Sequence, residues 1–265
     1  MSRNHSALTK PKDNRVIERQ QRRLTKQQKI LQEAIDIQRD KTSNHVSLKS
    51  IKRIDAMTDT QNDAMESLSD GSIDGVMMVG SAGTGKTFLS LYAAINSVLN
   101  GTYDKVIIIR SIVSVRDIGF LPGTDAEKMA PYEAPYQQIC TELFGRKDAY
   151  DKMKDMGMIE FVPSSFLRGV SLRNSYIVVD EAQSMNWHEL STVLTRFGDG
   201  SKIVICGDGK QNDLIKTKND VSGFHDLLAV TSRMAEFRTH KFTRDDIVRS
   251  PFVKSWIIAC ESLGL

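Results

Sequence analysis

Residues Gly80-Ser81-Ala82-Gly83-Thr84-Gly85-Lys86-Thr87 follow the pattern G-x-x-x-x-G-K-[ST] in full. That combination suits one chemistry, the cradling of a polyphosphate. Glycines let backbone N–H groups converge on phosphate oxygens without a Cβ in the way. A helix N-terminus behind the loop adds its dipole and unpaired donors. Lys86 reaches the β- and γ-phosphates, and Thr87 offers a hydroxyl to Mg²⁺. The cofactor-binding set expected on this basis is Gly80 through Thr87 with Phe88 behind it.

A second candidate lies about ninety residues on. Tyr176-Ile177-Val178-Val179 runs apolar into Asp180-Glu181-Ala182-Gln183. A strand ending in two carboxylates puts them at the edge of a sheet where α/β ligands bind. Asp180 is the expected Mg²⁺ partner with Thr87, and Glu181 the base or orienter of an attacking water. A third is Gln211, just past the apolar run Lys202–Gly207 and Asp208. It is placed to sense a γ-phosphate and relay its loss.

The elements needed to hold these groups are legible around them. Gly75–Gly80 reads as a buried parallel strand, and Thr87–Asn100 as a helix. Further strands are expected at Lys105–Ser111, Met158–Pro163, Ser175–Asp180, Ser201–Gly207 and Ala235–Phe242. Helices are expected from Asp59 to Asp70, and at Pro131–Phe144, Trp187–Phe197, Gly223–Thr231 and Asp245–Leu263. Alternation of apolar strands with helices predicts an α/β fold of the RecA-like P-loop NTPase kind: a parallel sheet with helices on both faces.

Composition narrows the class. The chain has 265 residues, 40% hydrophobic and 26% charged. No apolar run approaches the ~20 residues of a membrane span, and the polar, basic opening is unlike a secretory signal. Cys140, Cys206 and Cys260 show no metal or disulfide spacing, so a reducing cytoplasm is expected. The net charge of +3 is uneven: residues 1–45 hold 11 Lys/Arg against 5 Asp/Glu. A basic N-terminal helical arm with its linker (1–53) is expected to precede the ATPase domain (54–265). Such an arm either contacts nucleic acid or is a solvated leader.

Taken with Gly119-Phe120-Leu121-Pro122-Gly123, Leu167-Arg168-Gly169, Leu194-Thr195-Arg196-Phe197-Gly198 and Asp246-Ile247-Val248-Arg249-Ser250-Pro251, these motifs resemble the PhoH family in order and spacing from about residue 58 onward. Ser81 stands where that family usually has Pro, and Arg110-Ser111 where it often has Arg-Pro. The resemblance implies an ATP-binding ATPase, similar to the first motor domain of superfamily 1 helicases, with roles in RNA metabolism in bacteria and phages. It implies that Gln61 falls where a helicase-like glutamine reads adenine.

The expected function is therefore Mg²⁺-dependent ATP hydrolysis, coupled to binding or remodelling of RNA or single-stranded nucleic acid. The alternative is a nucleotide-switched assembly protein with slow turnover. A small-molecule kinase is disfavoured because no arginine-rich lid segment is evident. Fast hydrolysis calls for an arginine finger. With one motor domain, a homo-oligomeric ring, a hexamer above all, is expected to supply it in trans from Arg249, then Arg244, then Arg196. Arg110, Arg116, Lys128, Arg168 and Arg173 are expected to rim the same sheet edge and track a phosphate backbone, with Phe120, Tyr132 and Phe166 as the nearby aromatics.

Overall fold

A computed structural model describes residues 51–112, 125–167, 172–209 and 222–263. Residues 1–50 of the N-terminal arm, the Gly119–Gly123 stretch, Arg116, Phe120, Arg168 and Gln211 lie outside the described residues, as does the side chain of Lys128.

Six strands form one all-parallel sheet. They are β1 (Gly75–Gly80), β2 (Lys105–Arg110), β3 (Ile159–Pro163), β4 (Ser175–Asp180), β5 (Lys202–Gly207) and β6 (Phe237–Phe242). The order across the sheet is β3-β2-β4-β5-β1-β6. The central strands are apolar on both faces, as strands covered from both sides must be. Alternate residues then serve different cores. Val76 and Met78, Val106 and Ile108, and Tyr176 and Val178 join one cluster. Met77, Ile107, Ile177 and Val179 join the other.

The first cluster is covered by α1 (Asp59–Ser69), α2 (Lys86–Leu99), α3 (Asp125–Phe144) and α4 (Ala149–Asp155). The second is covered by α5 (Trp187–Leu194) and α6 (Phe224–Thr231). Helices thus pack on both faces. The α2 stripe of Leu91, Ala94, Ile95 and Val98 has the spacing that points one helical face inward. Among the described residues, no helix is long and apolar enough to cross a membrane.

Three elements differ from the sequence expectation. The helix expected from Asp245 to Leu263 is split into a 3₁₀ turn, Arg244–Asp246, and α7, Pro251–Ser262. Thr243 and Asp246 close the turn by reciprocal capping. Pro251 then favours the first position of a new helix and disfavours helical backbone at the residue before it. Helix α3 starts at Asp125, upstream of Pro131, and carries Pro131 and Pro135 inside it. Helix α4 has no counterpart in the sequence reading. It is seven residues long, too short for a clear apolar period, and it is held by burial of Ala149, Tyr150 and Met153.

Candidate nucleotide site

The glycine-rich loop leaves the C-terminal end of β1 and enters α2 at Lys86. Gly85 caps that helix with left-handed backbone, φ 86°, which a side chain would strain. Gly83 is also left-handed, and a Cβ there would sit 2.9 Å from Arg249 Cγ. Thr84 Oγ1 donates to the Ser81 carbonyl at 3.0 Å, drawing the loop closed. Lys86 Nζ donates to the carbonyls of Gly80 and Ser81, at 2.6 and 2.8 Å. Burial lowers the pKa of this ammonium, while the charges of Asp208, Glu181 and Asp180 pull it the other way.

Strand β4 lies two places from β1, with β5 between them, and its end brings the acids to the loop. Thr87 Oγ1 donates to Asp180 Oδ1 at 2.7 Å. Asp180 is only 4% exposed. A hydroxyl and a carboxylate oxygen side by side at a phosphate loop are hard oxygen donors of the kind Mg²⁺ takes. Two suffice, because that ion usually keeps waters and binds substrate phosphates as well. Among the described residues no cluster of three His, Cys, Asp or Glu side chains would hold a metal unaided.

Glu181 follows with φ 52°, one of two non-glycine residues on left-handed backbone among those described. The turn aims its carboxylate away from the strand direction, into the cavity that Lys86, Thr87 and Asp180 also line. Gln183 steadies it: its Nε2 donates to Glu181 Oε2 at 2.5 Å, and its Oε1 accepts from the Asp208 N–H at 3.0 Å. The end of β5 is thereby tied to the end of β4. The cavity has a volume of about 600 Å³, within the range of small-molecule sites.

Gln61 sits at the first turn of α1, where Thr58 caps the helix by accepting from its N–H. The Gln61 amide spans two segments. Its Oε1 accepts from Met57 N–H at 2.8 Å, and its Nε2 donates to the Thr84 carbonyl at 3.0 Å. One N–H and one lone pair remain for a ligand. Phe88, Ala82, Gly83 and Gly85 line the cavity, whereas Ser81 is buried behind it.

The arginines redistribute. Arg249, expected to reach into a neighbouring subunit, lines its own chain's cavity. Val248 N–H donates to the Gly83 carbonyl at 3.1 Å and fixes that segment against the loop. Arg110, expected on the nucleic-acid rim, lines the same cavity. Arg244 is exposed on the turn after β6, outside the cavity lining. Arg173 and Arg196 lie at the opposite edge of the sheet. Arg173 precedes the start of β4, and Leu172 N–H donates to the Arg196 carbonyl at 3.2 Å. The expectation that Arg173 rims the nucleotide edge is therefore wrong: chain direction places it at the N-terminal ends of the strands. Phe166, on the turn after β3, is 63% exposed, and Tyr132 is half-buried on α3.

Two contributors went unrecognised in the sequence. Gln183 was visible in the acidic motif, but its bridging role was not. Tyr136, fully buried on α3, donates from its hydroxyl to Asp180 Oδ2 at 3.0 Å. Its spacing with Cys140 and Leu143 marks only a core-facing helix position, and nothing local announces the hydroxyl's partner.

Comparison with known proteins agrees with the geometry. A family model described as "PhoH-like protein" matches residues 53–261. A PhoH-like protein of Bacillus subtilis (strain 168) is 35% identical over 191 residues, 70% of this chain and 58% of the relative. Protein PhoH2 of Mycolicibacterium smegmatis is 38% identical over 173 residues, 64% of this chain and 38% of the relative. A PhoH-like protein of Synechocystis is 34% identical, covering 71% and 57% of the two chains. The matched stretch spans less than two thirds of each of these relatives. With a parallel sheet, a phosphate loop and a family match covering most of its length, the chain belongs to the PhoH family of P-loop ATPase-type proteins.

Proposed function

We propose that the protein hydrolyses ATP with Mg²⁺ and couples hydrolysis to RNA or single-stranded nucleic acid. The observation that carries the reading is the Thr87–Asp180 hydrogen bond beside the Lys86 loop. It joins the two motifs across 93 residues in the arrangement phosphoryl transfer needs.

The residues divide the work. The loop amides and Lys86 hold the β- and γ-phosphates. Thr87 and Asp180 hold Mg²⁺, which on binding supplies positive charge to the phosphate oxygens. Glu181 orients a water and takes its proton as the oxygen–phosphorus bond forms and the bond to the β-phosphate oxygen breaks. Gln183 keeps Glu181 in that orientation, and Gln211 is assigned the γ-phosphate sensor. Gln61 positions the loop and offers its remaining amide valences to adenine.

Arg249 is assigned to the nucleotide of its own chain, because it lies against Gly83 in the same cavity. A hexameric ring then has Arg244, exposed after β6, as the arginine to lend to a neighbour. The basic arm, residues 1–53, is assigned to nucleic acid or a partner, ahead of an ATPase domain spanning 54–265.

The test is ATP turnover with Mg²⁺, with and without single-stranded RNA, for the wild type and Lys86→Ala. Turnover that requires Lys86 and rises with RNA is expected. Turnover that requires Lys86 but ignores RNA leaves the nucleotide-switch reading in its place. Turnover that survives Lys86→Ala rejects the site.

A further inference from the structure

The carboxylate assigned to Mg²⁺ is held on both oxygens. Thr87 donates to Oδ1 and Tyr136 donates to Oδ2. Tyr136 has a charged neighbour of its own. Arg110 and Asp180 are register partners at the ends of the adjacent strands β2 and β4. Their alternation with Ile108 and Val178 points both toward the face covered by α3, where Tyr136 is fully buried. The Arg110 guanidinium is thereby a cationic neighbour of both Asp180 and the Tyr136 hydroxyl, and the two side chains interact electrostatically. The phenol O–H donates to Asp180, with the Arg110 cation beside it.

We infer that Arg110 and Tyr136 form a positioning relay that orients Asp180, leaving Oδ1 as the oxygen that faces the cation. The inference rests on the nucleotide reading above and adds two residues to it. A carboxylate with a free second oxygen can rotate or chelate. One whose second oxygen is engaged by a fixed donor is held in one orientation, so the lone pairs of its first oxygen point in fixed directions. A cation beside the phenol oxygen polarises its O–H and strengthens the bond to the carboxylate. Neither side chain needs to touch the cation. Their effect passes through Asp180, as outer-shell partners of metal ligands generally act. Both lie far from Asp180 in sequence, Tyr136 by 44 residues.

The experiment is binding of a fluorescent ATP analogue to the full chain, titrated with Mg²⁺ and repeated in EDTA. It compares wild type, Tyr136→Phe, Arg110→Gln, the double variant and Tyr176→Phe. Tyr176 donates a buried hydroxyl to the Leu68 carbonyl and stands four residues before Asp180 on the same strand, so it controls for loss of a buried phenol. For Tyr136→Phe, the half-saturating Mg²⁺ concentration is expected to rise about tenfold or more, with EDTA binding unchanged. Arg110→Gln is expected to shift it in the same direction, and to add nothing in the Tyr136→Phe background. A Tyr136→Phe titration matching wild type overturns the relay, as does an equal shift in Tyr176→Phe. If Tyr136→Phe fails to fold, an unshifted Arg110→Gln overturns it instead. If the wild type binds no nucleotide with Mg²⁺, the nucleotide reading itself fails and the relay goes with it.

Discussion

Lys86 illustrates how a single residue is legible and yet incomplete in the sequence. Its type and position announce a phosphate contact. Its electrostatic state depends on surroundings gathered from β4 and β5. Burial depresses its pKa below that of an ordinary lysine, and the phosphate contact needs the charged form. ATP affinity should therefore be full below the lowered value and fall as pH rises through it. Titrating the dissociation constant upward from pH 7 should show affinity declining before the ~10.4 of a free lysine. Affinity that stays flat to that point would show that the ammonium is not desolvated, or that it does not hold phosphate. Gln61 makes the complementary point. Its location near the loop was readable, but its amide is already engaged by Met57 and Thr84. It works as a brace between α1 and the loop whatever it does with adenine.

At the scale of elements, the sheet is secured to α1 by a buried lysine whose bracing role nothing in its local sequence announces. Lys202 opens β5, and its Nζ donates to the carbonyls of Ser67, Asp70 and Ile73 at 2.9, 2.6 and 2.7 Å. It caps the C-terminal end of the helix whose N-terminal turn carries Gln61, where a cation also suits the dipole. Lys202→Met should leave those carbonyls unpaired and cost about 3 kcal/mol in urea unfolding. A loss under about 0.5 kcal/mol, the range of ordinary surface changes, would rule the cap out. Burial also pulls the Lys202 ammonium down to about 8. A lysine lowered on folding releases its proton first in the folded state. Its contribution to stability therefore rises with pH between about 8 and the unfolded value.

The central strands were legible at this scale because each is a short apolar run between polar turns, whereas the edge strand β6 carries Arg238, Thr239, His240 and Lys241 between two phenylalanines. Gly75–Gly80 and Ser175–Asp180 coincide with expectation to the residue. The missed elements are those whose identity depends on burial rather than period. Helix α4 is one. The break before α7 is another, where Pro251 ends what apolar spacing alone would have continued.

For the whole molecule, the question is whether one chain completes its own site. The proposed contact of Arg249 with the nucleotide of its own chain has a direct consequence. Mixing Lys86→Ala subunits with Arg249→Ala subunits should restore no turnover, since no subunit then holds both residues. Recovery approaching a quarter of wild-type rate in an equal mixture would instead place Arg249 in the neighbour's site. Sedimentation of the same samples reports whether a ring is present. The proposed coupling to RNA belongs to this scale too: turnover is expected to rise with RNA, and the decline of that rise with salt would measure how many phosphates the chain neutralises.

Residue order along the chain was enough to specify the phosphate loop, the acidic strand end and the α/β alternation. Each is set by neighbours within a few residues and by a local choice of strand or helix. What the tertiary structure alone decided is which strand ends meet. The order β2-β4-β5-β1 puts Arg110 beside Asp180 and Asp208 beside Gln183. Packing of α3 on that face delivers Tyr136, and the return of the chain after β6 lays Arg249 on Gly83. Arg173 and Arg196 fall at the far edge because a parallel strand has a direction. A residue before its start cannot share a site with one after its end.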